Sequence, residues 1–311
     1  MGKKFKILSI DGGGFRGVYS AHILKRIESE FDINWLDEFD LIAGTSTGSI
    51  IAASLAIGKK AGEVLELYKT HGRDIFNNPF PKWGILFSKY SKKNLSKILK
   101  SFFNDIKLGD IAQPLIIPTT DIANGCVHVM KSTFHNEFYR DKDVFLSEAV
   151  LASCSAPTYF KPTLLEGDKP YLLADGGLWA NSPCLVAAIE ARKRLNADFK
   201  DLKILSIGTG NSNLFYSIKE YKKRKIFGWG FVSGWKRDKF IKMLLNLQSQ
   251  NANNMLGLVL EEEQIRRVNF DSDVDLALDA PNEFDDLVSR ADKQFSHESA
   301  LIKNFLSDRG D

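Results

Sequence analysis

The chain has 311 residues, of which 44% are hydrophobic and 26% charged, with a formal net charge of +3. This composition is typical of a globular protein. The cysteines, Cys126, Cys154 and Cys184, are odd in number and form no CxxC pair, which argues against a disulfide framework or a zinc cluster and favours a reducing, cytosolic location. No apolar run approaches the ~20 residues of a membrane span. The apolar stretch at the N-terminus is too short for a signal peptide.

The charge is unevenly placed along the chain. Seven lysines and one acid lie between Lys82 and Lys107, and nine basic residues and two acids between Lys219 and Lys242. From Glu261 to the end, fourteen acids face six basic residues. Two basic segments therefore precede an acidic C-terminal part, and this asymmetry points to charged partners.

Taken in chain order, β-type runs alternate with helical patterns. The predicted strands are Lys6–Ile10, Phe39–Ala43, Leu115–Ala123, Cys126–Phe134, Tyr171–Ala174 and Leu202–Ile207. Asn124-Gly125 is a strong hairpin turn signal. The predicted helices cover Val18–Ile27, Ile50–Leu55, Ser147–Ser153, Cys184–Leu195, Met243–Leu260 and Phe284–Leu306. Such alternation predicts one α/β domain with a mostly parallel sheet.

The second predicted strand runs into Gly44-Thr45-Ser46-Thr47-Gly48. A serine between two glycines at a strand-to-helix turn is typical of a nucleophile elbow, because the sharp turn leaves no room for side chains at Gly44 and Gly48. The following helix points its N-terminus at the site and favours developing negative charge. We therefore expect Ser46 to be a nucleophile.

The first strand runs into three glycines, Gly12, Gly13 and Gly14, followed by Arg16. Their backbone N–H groups, at the start of a helix, are suited to bind a phosphate or an oxyanion. The loop also contains the GxGxxG pattern of a dinucleotide site. Such a site needs an acidic residue about 20 positions further on, and Glu28, Glu30 and Asp32 are close enough that their spacing does not exclude a dinucleotide site. The serine elbow favours an oxyanion hole, which acyl transfer needs. Arg16 either supports the loop or forms a structural ion pair.

A third loop, Asp175-Gly176-Gly177, also follows a strand. We expect its carboxylate at the strand's carboxyl end, where open parallel sheets bind ligands, and within hydrogen-bond reach of the serine as its base. A histidine base would have to be His297, which alone follows Asp175 and lies in an acid-rich helix. None of the five histidines has a motif around it, so a Ser46–Asp175 dyad is preferred.

The motifs DGGGFRG, GTSTG and DGG, in this order, resemble the three motifs of patatin-like phospholipases. The runs ASCSAPTYFKP (Ala152–Pro162), DGGLWANSP (Asp175–Pro183) and ILSIGTG (Ile204–Gly210) are similar as well. The resemblance covers about Lys6 to Gly210 and implies a three-layer fold with helices on both faces of the sheet. It also implies Ser46 as nucleophile, Asp175 as base and an oxyanion hole from Gly12, Gly13 and Gly14 with Arg16 in support. No cofactor or metal is implied.

The opening KILSIDGGGFRGVYSAHILKRIE is similar to bacterial patatin-like effectors of cyclic-oligonucleotide anti-phage signalling (CBASS). This narrower resemblance implies a phospholipase A that a cyclic dinucleotide activates, with a homo-oligomer expected on activation. The alternatives are a constitutive patatin-like esterase or lipase, and a non-catalytic nucleotide-sensing scaffold.

Two basic-aromatic segments, Pro79–Phe103 and Lys222–Phe240 with Trp229 and Trp235, favour peripheral binding to anionic phospholipid at the inner membrane face. A nucleic-acid polymer is the rival partner and is not expected. We read residues 1–311 as one domain with its motifs in 6–210. The remainder, 211–311, is expected to act as a regulatory cover in which the basic segment and the acidic C-terminal part hold each other over the site.

Overall fold

The computed structural model describes residues 4–76, 88–167, 169–212, 216–223 and 237–308. None of the helices in these ranges combines the length and the apolar character needed to span a bilayer. The strands are β1 (Phe5–Ile10), β2 (Leu41–Gly44), β3 (Leu115–Asp121), β4 (Cys126–Lys131), β5 (Thr163–Leu165), β6 (Tyr171–Asp175), β7 (Leu202–Ile207), β8 (Asn211–Ser212), β9 (Ile265–Val268) and β10 (Asp271–Ser272).

Helices follow most of these strands. They are α1 (Gly17–Phe31), α2 (Trp35–Glu38), α3 (Thr47–Ala56), α4 (Ala61–Ile75), α5 (Lys92–Phe103), α6 (Leu146–Ser153), α7 (Gly177–Ala180), α8 (Cys184–Arg194), α9 (Ile218–Lys223), α10 (Arg237–Gly257) and α11 (Phe284–Ser307).

Eight of the described strands form one mixed sheet with the order β5-β6-β3-β2-β1-β7-β9, and β4 pairs with β3. The five strands from β3 to β9 in this order are mutually parallel. The β3–β4, β3–β6 and β5–β6 pairs are antiparallel. The prediction of a mostly parallel sheet is therefore correct for the part from β3 to β9, whereas β4, β5 and β6 pair antiparallel.

The pairing of β3 decides where the loops that carry Ser46 and Asp175 meet. β4 pairs with β3 from Ile116 to Asp121, so β2 and β6 must share the other edge of β3. There β2 pairs with the start of β3 and β6, running in the opposite direction, pairs with its end. The carboxyl ends of β2 and β6 consequently face each other. The sequence placed Asp175 at the end of a parallel strand, and the structure places it at the end of an antiparallel one.

Side chains that alternate along the strands build two cores, one on each face of the sheet. On β1, Leu8 and Ile10 join the core formed with α1, α3, α4, α6 and α11. Ile7, which directly precedes Leu8, joins the core formed with α8 and α10. Since successive side chains of a strand point to opposite faces, the alternation produces the three-layer arrangement that the resemblance implied.

The C-terminal third is part of this fold. β9 pairs with β7 at the edge of the sheet, and the apolar side of α11 is buried in the same core as α1. At the end of α11 the buried Lys6 ammonium donates to the Leu306 carbonyl at 2.6 Å and pairs with Glu38 at 2.6 Å. α11 is therefore a structural helix.

Candidate active site

Ser46 lies in a sharp turn between β2 and α3. Its backbone has φ 53° and ψ −124°, a left-handed conformation that costs a non-glycine residue energy. A Cβ on Gly44 would lie 2.2 Å from the Gly48 carbonyl oxygen, and one on Gly48 would lie 2.3 Å from the Ile10 carbonyl oxygen. Both glycines are therefore required by close backbone packing, as the motif predicted.

The Ser46 hydroxyl donates a hydrogen bond to Asp175 Oδ2 at 2.7 Å. The Gly177 N–H donates to the other carboxyl oxygen, also at 2.7 Å, and fixes its orientation. Burial raises the pKa of Asp175 from 3.8 to about 6, although the bonds from Ser46 and Gly177 act in the opposite direction. The structure thus brings together the two residues predicted as nucleophile and base, with the acid ionised at neutral pH and poised to accept a proton.

The three glycines of the first loop differ in what their N–H groups do. The Gly12 N–H donates to the Asn181 carbonyl at 2.9 Å. Within the described part of the chain, the N–H groups of Gly13 and Gly14 make no hydrogen bond, and both residues line the pocket that contains Ser46. The predicted oxyanion hole therefore has two available donors, Gly13 and Gly14, since the N–H of Gly12 is occupied.

Two side chains hold this loop from behind. The Thr209 hydroxyl donates to the Gly12 carbonyl at 2.9 Å, and Arg16 Nε donates to the Gly13 carbonyl at 3.2 Å. In a trans peptide the C=O and the next N–H point in opposite directions. Anchoring these two carbonyls therefore turns the N–H groups of Gly13 and Gly14 away from Thr209 and Arg16.

Arg16 is buried, which lowers its pKa to about 10, while the charge of Asp275 opposes that shift. The guanidinium stays protonated at neutral pH, and its Nη1 also donates to the Gly210 carbonyl at 3.0 Å. Its role in the structure is to join the glycine loop to the loop after β7. The sequence analysis left a structural salt bridge as the alternative role of Arg16. The described hydrogen bonds of Arg16 go to backbone carbonyl oxygens instead.

Ser153, at the end of α6, is a site residue that the sequence analysis missed. Its hydroxyl is fully buried, accepts from the Ser46 N–H at 2.9 Å and donates to the Pro118 carbonyl at 2.7 Å. It ties the elbow to β3 at the place where β2 ends. The only signal for Ser153 in the sequence was its position in the ASCSAP run, and that run did not indicate what the residue does.

An apolar pocket opens beside Ser46. Among its lining residues, Ile50, Ile75 and Leu95 are almost completely buried, and Leu178 is 47% exposed. The other described lining residues are Gly13, Gly14, Thr47, Tyr68, Phe76, Cys154, Ala156, Pro157, Tyr159, Phe160, Asp175, Asn181, Ile241, Leu245 and Leu278. Such a pocket is suited to a hydrocarbon chain.

All five histidines lie in the described ranges, and none lines this pocket. His22 Nε2 lies 2.9 Å from Asp292 on α11, and His128 is buried against Asp141 and Tyr171. His297 is exposed on α11. The absence of a histidine from the site agrees with the preference for a dyad.

The patatin-like phospholipase family profile matches residues 8–188, which include the glycine loop, the elbow and Asp175. The chain belongs to the patatin-like phospholipase family. This confirms, at the level of the family, the prediction of a phospholipase-type serine hydrolase.

Among relatives, the chain is 29% identical over 278 residues to the "cGAMP-activated phospholipase" of Escherichia coli (strain TW11681), covering 83% of this chain and 76% of the relative. It is 34% identical over 232 residues to the protein of the same name from Vibrio cholerae, covering 66% and 64%. "Patatin-like protein 2" of Arabidopsis thaliana is 30% identical over 300 residues, covering 83% and 72%.

The fold is also similar to that of a solved structure. The crystal structure of VipD from Legionella pneumophila superposes with a TM-score of 0.50, covering 99% of this chain and 67% of VipD. At 11% sequence identity this likeness supports the patatin-like fold and nothing finer.

Proposed function

We propose that the chain is a phospholipase A-type lipid acyl hydrolase, in which Ser46 and Asp175 form a catalytic dyad. The observation that carries the proposal is the 2.7 Å hydrogen bond from the Ser46 hydroxyl to Asp175 at the side of an apolar pocket. A nucleophile, its base and a site for a hydrocarbon chain are the parts that cleavage of a fatty-acyl ester requires.

In the proposed reaction Ser46 Oγ attacks the ester carbonyl carbon while Asp175 Oδ2 takes the hydroxyl proton. The tetrahedral oxyanion accepts hydrogen bonds from the N–H groups of Gly13 and Gly14. Collapse expels the lysophospholipid alcohol, which receives the proton from Asp175 and leaves an acyl-enzyme. Water then attacks the acyl-enzyme carbonyl while Asp175 accepts its proton, and Asp175 returns that proton to Ser46 Oγ as the fatty acid departs.

We place the enzyme in the cytoplasm, bound peripherally to the inner membrane face when active. α5 supports this in part: Lys93, Lys97 and Lys100 are exposed and can meet anionic headgroups. The apolar residues Leu95, Leu99 and Phe103 of α5 are buried in the core, so in this half of the predicted membrane-binding segment the lysines, and not these apolar residues, are available to the lipid. Residues 77–87, and Trp229 and Trp235, lie outside the described residues.

We further propose activation by a cyclic dinucleotide, with a homo-oligomer formed on activation. The names of the two bacterial relatives support the ligand class. Ile241 and Leu245 of α10 line the pocket, and Lys242 between them pairs with Asp275 at 2.7 Å. This ion pair joins the basic and acidic segments beside the pocket, where an anionic ligand could compete for the lysine. α11 contributes no described pocket residue, so α10 is the proposed cover.

The test is fatty-acid release from phospholipid vesicles by the purified protein, alone and with a panel of cyclic dinucleotides. We expect release that one ligand stimulates and that Ser46→Ala abolishes, whereas His297→Ala keeps turnover within a few fold.

Full activity without ligand, unchanged by the panel, would leave a constitutive hydrolase. Ligand binding without any hydrolysis would favour the nucleotide-sensing scaffold. Binding to RNA but not to anionic vesicles would replace the membrane with nucleic acid as partner.

A further inference from the structure

The stretch from Met243 to Leu260 contains no charged residue, although it forms most of the surface helix α10. One side of this helix is buried: Ser249, Ala252 and Leu256 pack towards α7 and α8. The opposite side is exposed and uncharged. Charged residues are depleted and methionine is enriched at the centres of protein interfaces, so this composition is typical of a contact surface.

The exposed side carries a stripe of five residues, which we call the α10 stripe. Its apolar members are Leu244, 44% exposed, Leu247, 51%, Met255, 49%, and Leu258, 84%, in the turn that follows α10. Asn251 is its exposed central residue. The steps of three, four and four residues keep the first four on one face of α10, and Leu258 follows three residues after Met255, one position beyond the end of the helix.

The α10 stripe is symmetric about Asn251. Leu244 and Leu258 lie seven residues before and after it, and Leu247 and Met255 lie four residues before and after it. An antiparallel copy of the same helix, related by a two-fold axis at Asn251, therefore places Leu244 against Leu258 and Leu247 against Met255. Asn251 meets its own copy, and a carboxamide can both donate and accept a hydrogen bond.

The charges around α10 fit the same arrangement. The start of α10, Arg237-Asp238-Lys239, carries a net positive charge, and Glu261, Glu262 and Glu263 follow its end. Antiparallel pairing brings the basic end of one helix to the acidic end of the other. At a two-fold contact a charged residue on the axis would face its own like charge, which the uncharged stripe avoids. The absence of lysine from the stripe also makes it a poor surface for anionic lipid.

We propose that the α10 stripe is a self-association surface, on which a second copy of this chain docks antiparallel about Asn251. The surface is independent of the hydrolase chemistry, because none of the five stripe residues lines the pocket. The dimer that it predicts forms without ligand and is distinct from the homo-oligomer proposed to form on activation.

Sedimentation equilibrium of the full chain across the micromolar range tests the association. The wild type is expected to be a dimer, and Leu247→Lys is expected to raise the dissociation constant by about a hundredfold or more, since each dimer loses two buried leucines. The matched control is Leu301→Lys, an equally exposed leucine on α11, which should dimerise like the wild type. A monomeric wild type, or a Leu247→Lys protein that dimerises normally, would overturn the proposal.

Cysteine crosslinking tests the register. Cys126 is an exposed free thiol, and Cys154 and Cys184 are buried, so the variants are made on a Cys126→Ser background. Asn251→Cys should form an intermolecular disulfide with itself, because the axis brings the two copies together. Leu244→Cys should crosslink with Leu258→Cys in a mixture but not with itself. Self-crosslinking of Leu244→Cys would overturn the antiparallel register.

Loss of vesicle binding by Leu247→Lys in a monomeric protein would assign the stripe to lipid instead.

Discussion

Burial and hydrogen bonding act in opposite directions on the Asp175 carboxyl. Burial raises its pKa to about 6, and the bonds from Ser46 and Gly177 limit that rise. A base must be deprotonated to accept a proton from Ser46, and its basicity increases with its pKa. A carboxyl with a pKa near 6 is ionised at neutral pH and is a stronger base than an ordinary aspartate.

The pH dependence of kcat/KM reports this group directly. We expect kcat/KM to be constant above about pH 7 and to fall about tenfold for each pH unit below the Asp175 pKa near 6, because only the ionised base is active. The measurement is initial-rate hydrolysis of a soluble short-chain ester, whose own charge does not change over this range. A profile that bends near pH 4, or rises further above pH 8, would contradict the assignment.

The raised pKa also has a consequence for stability. The folded protein binds the Asp175 proton more tightly than the unfolded chain, so this contribution is fully present below about pH 4 and is lost as pH rises through about 6. Asp175→Asn removes the buried charge. We expect the variant to be inactive yet to gain up to ~3 kcal/mol of unfolding free energy at pH 8, at about 1.4 kcal/mol per pKa unit, and little at pH 4.

Urea unfolding at the two pH values measures this difference. Asp141→Asn is the matched control, because Asp141 is also a buried aspartate. Burial opposes its ionisation, but the hydrogen bonds from Arg140 and the nearby His128 ring hold its pKa below the usual value. That variant should lose stability at pH 8. A loss of stability in both variants would show that Asp175 is stabilised in its charged form.

At the scale of elements, the elbow depends on the meeting of β2, β3 and α6. Ser46 holds a left-handed conformation that neighbouring elements must maintain. Ser153 supplies one link, since its hydroxyl joins the Ser46 N–H to the Pro118 carbonyl of β3. Without the hydroxyl, both backbone groups lose a partner in a buried place.

We therefore expect Ser153→Ala to lower kcat by about ten- to a hundredfold, corresponding to ~1–3 kcal/mol for the lost hydrogen bonds. The control is Ser155→Ala, whose hydroxyl is equally buried but bonds to Leu151 and Thr163. That variant should lose stability with little change in kcat. Equal kcat values for the two variants would show that Ser153 does not position the nucleophile.

At the scale of the whole molecule, the motifs and the C-terminal third form one structure. The buried side chains of α11 include Leu287, Phe295, Ile302, Phe305 and Leu306. Each is worth ~1.5–3 kcal/mol when buried, and their sum is comparable with the 5–15 kcal/mol net stability typical of a domain.

Deletion of residues 284–311 is therefore expected to give an unfolded or insoluble chain, and not an enzyme released from inhibition. Solubility, far-UV circular dichroism and vesicle hydrolysis check this. A folded and hyperactive truncated protein would restore α11 as the cover that the charge asymmetry suggested.

Much of this fold could be predicted because the signals are local. The β1, β7 and α8 boundaries follow from short apolar runs and glycine loops, and the Asn124-Gly125 turn produces the β3–β4 hairpin with Gly125 at φ 65°. The direction of β6 could not be predicted, because it depends on β2 and β6 sharing one edge of β3.

The site was predictable to a similar extent. Ser46 and Asp175 lie in motifs, but Ser153 and Thr209 act through single hydroxyls placed by distant elements, and no spacing in the sequence reports those contacts. The occupied N–H of Gly12 was hidden for the same reason, since its acceptor, Asn181, is far away in the chain.

Mass spectrometry of the fluorophosphonate-treated protein tests the central claim most directly, because the reagent forms a stable adduct only with an activated serine. We predict one adduct, on the peptide that contains Ser46, absent from Ser46→Ala and formed much more slowly by Asp175→Asn. An adduct on another serine, or labelling of Asp175→Asn at the wild-type rate, would contradict the Ser46–Asp175 dyad.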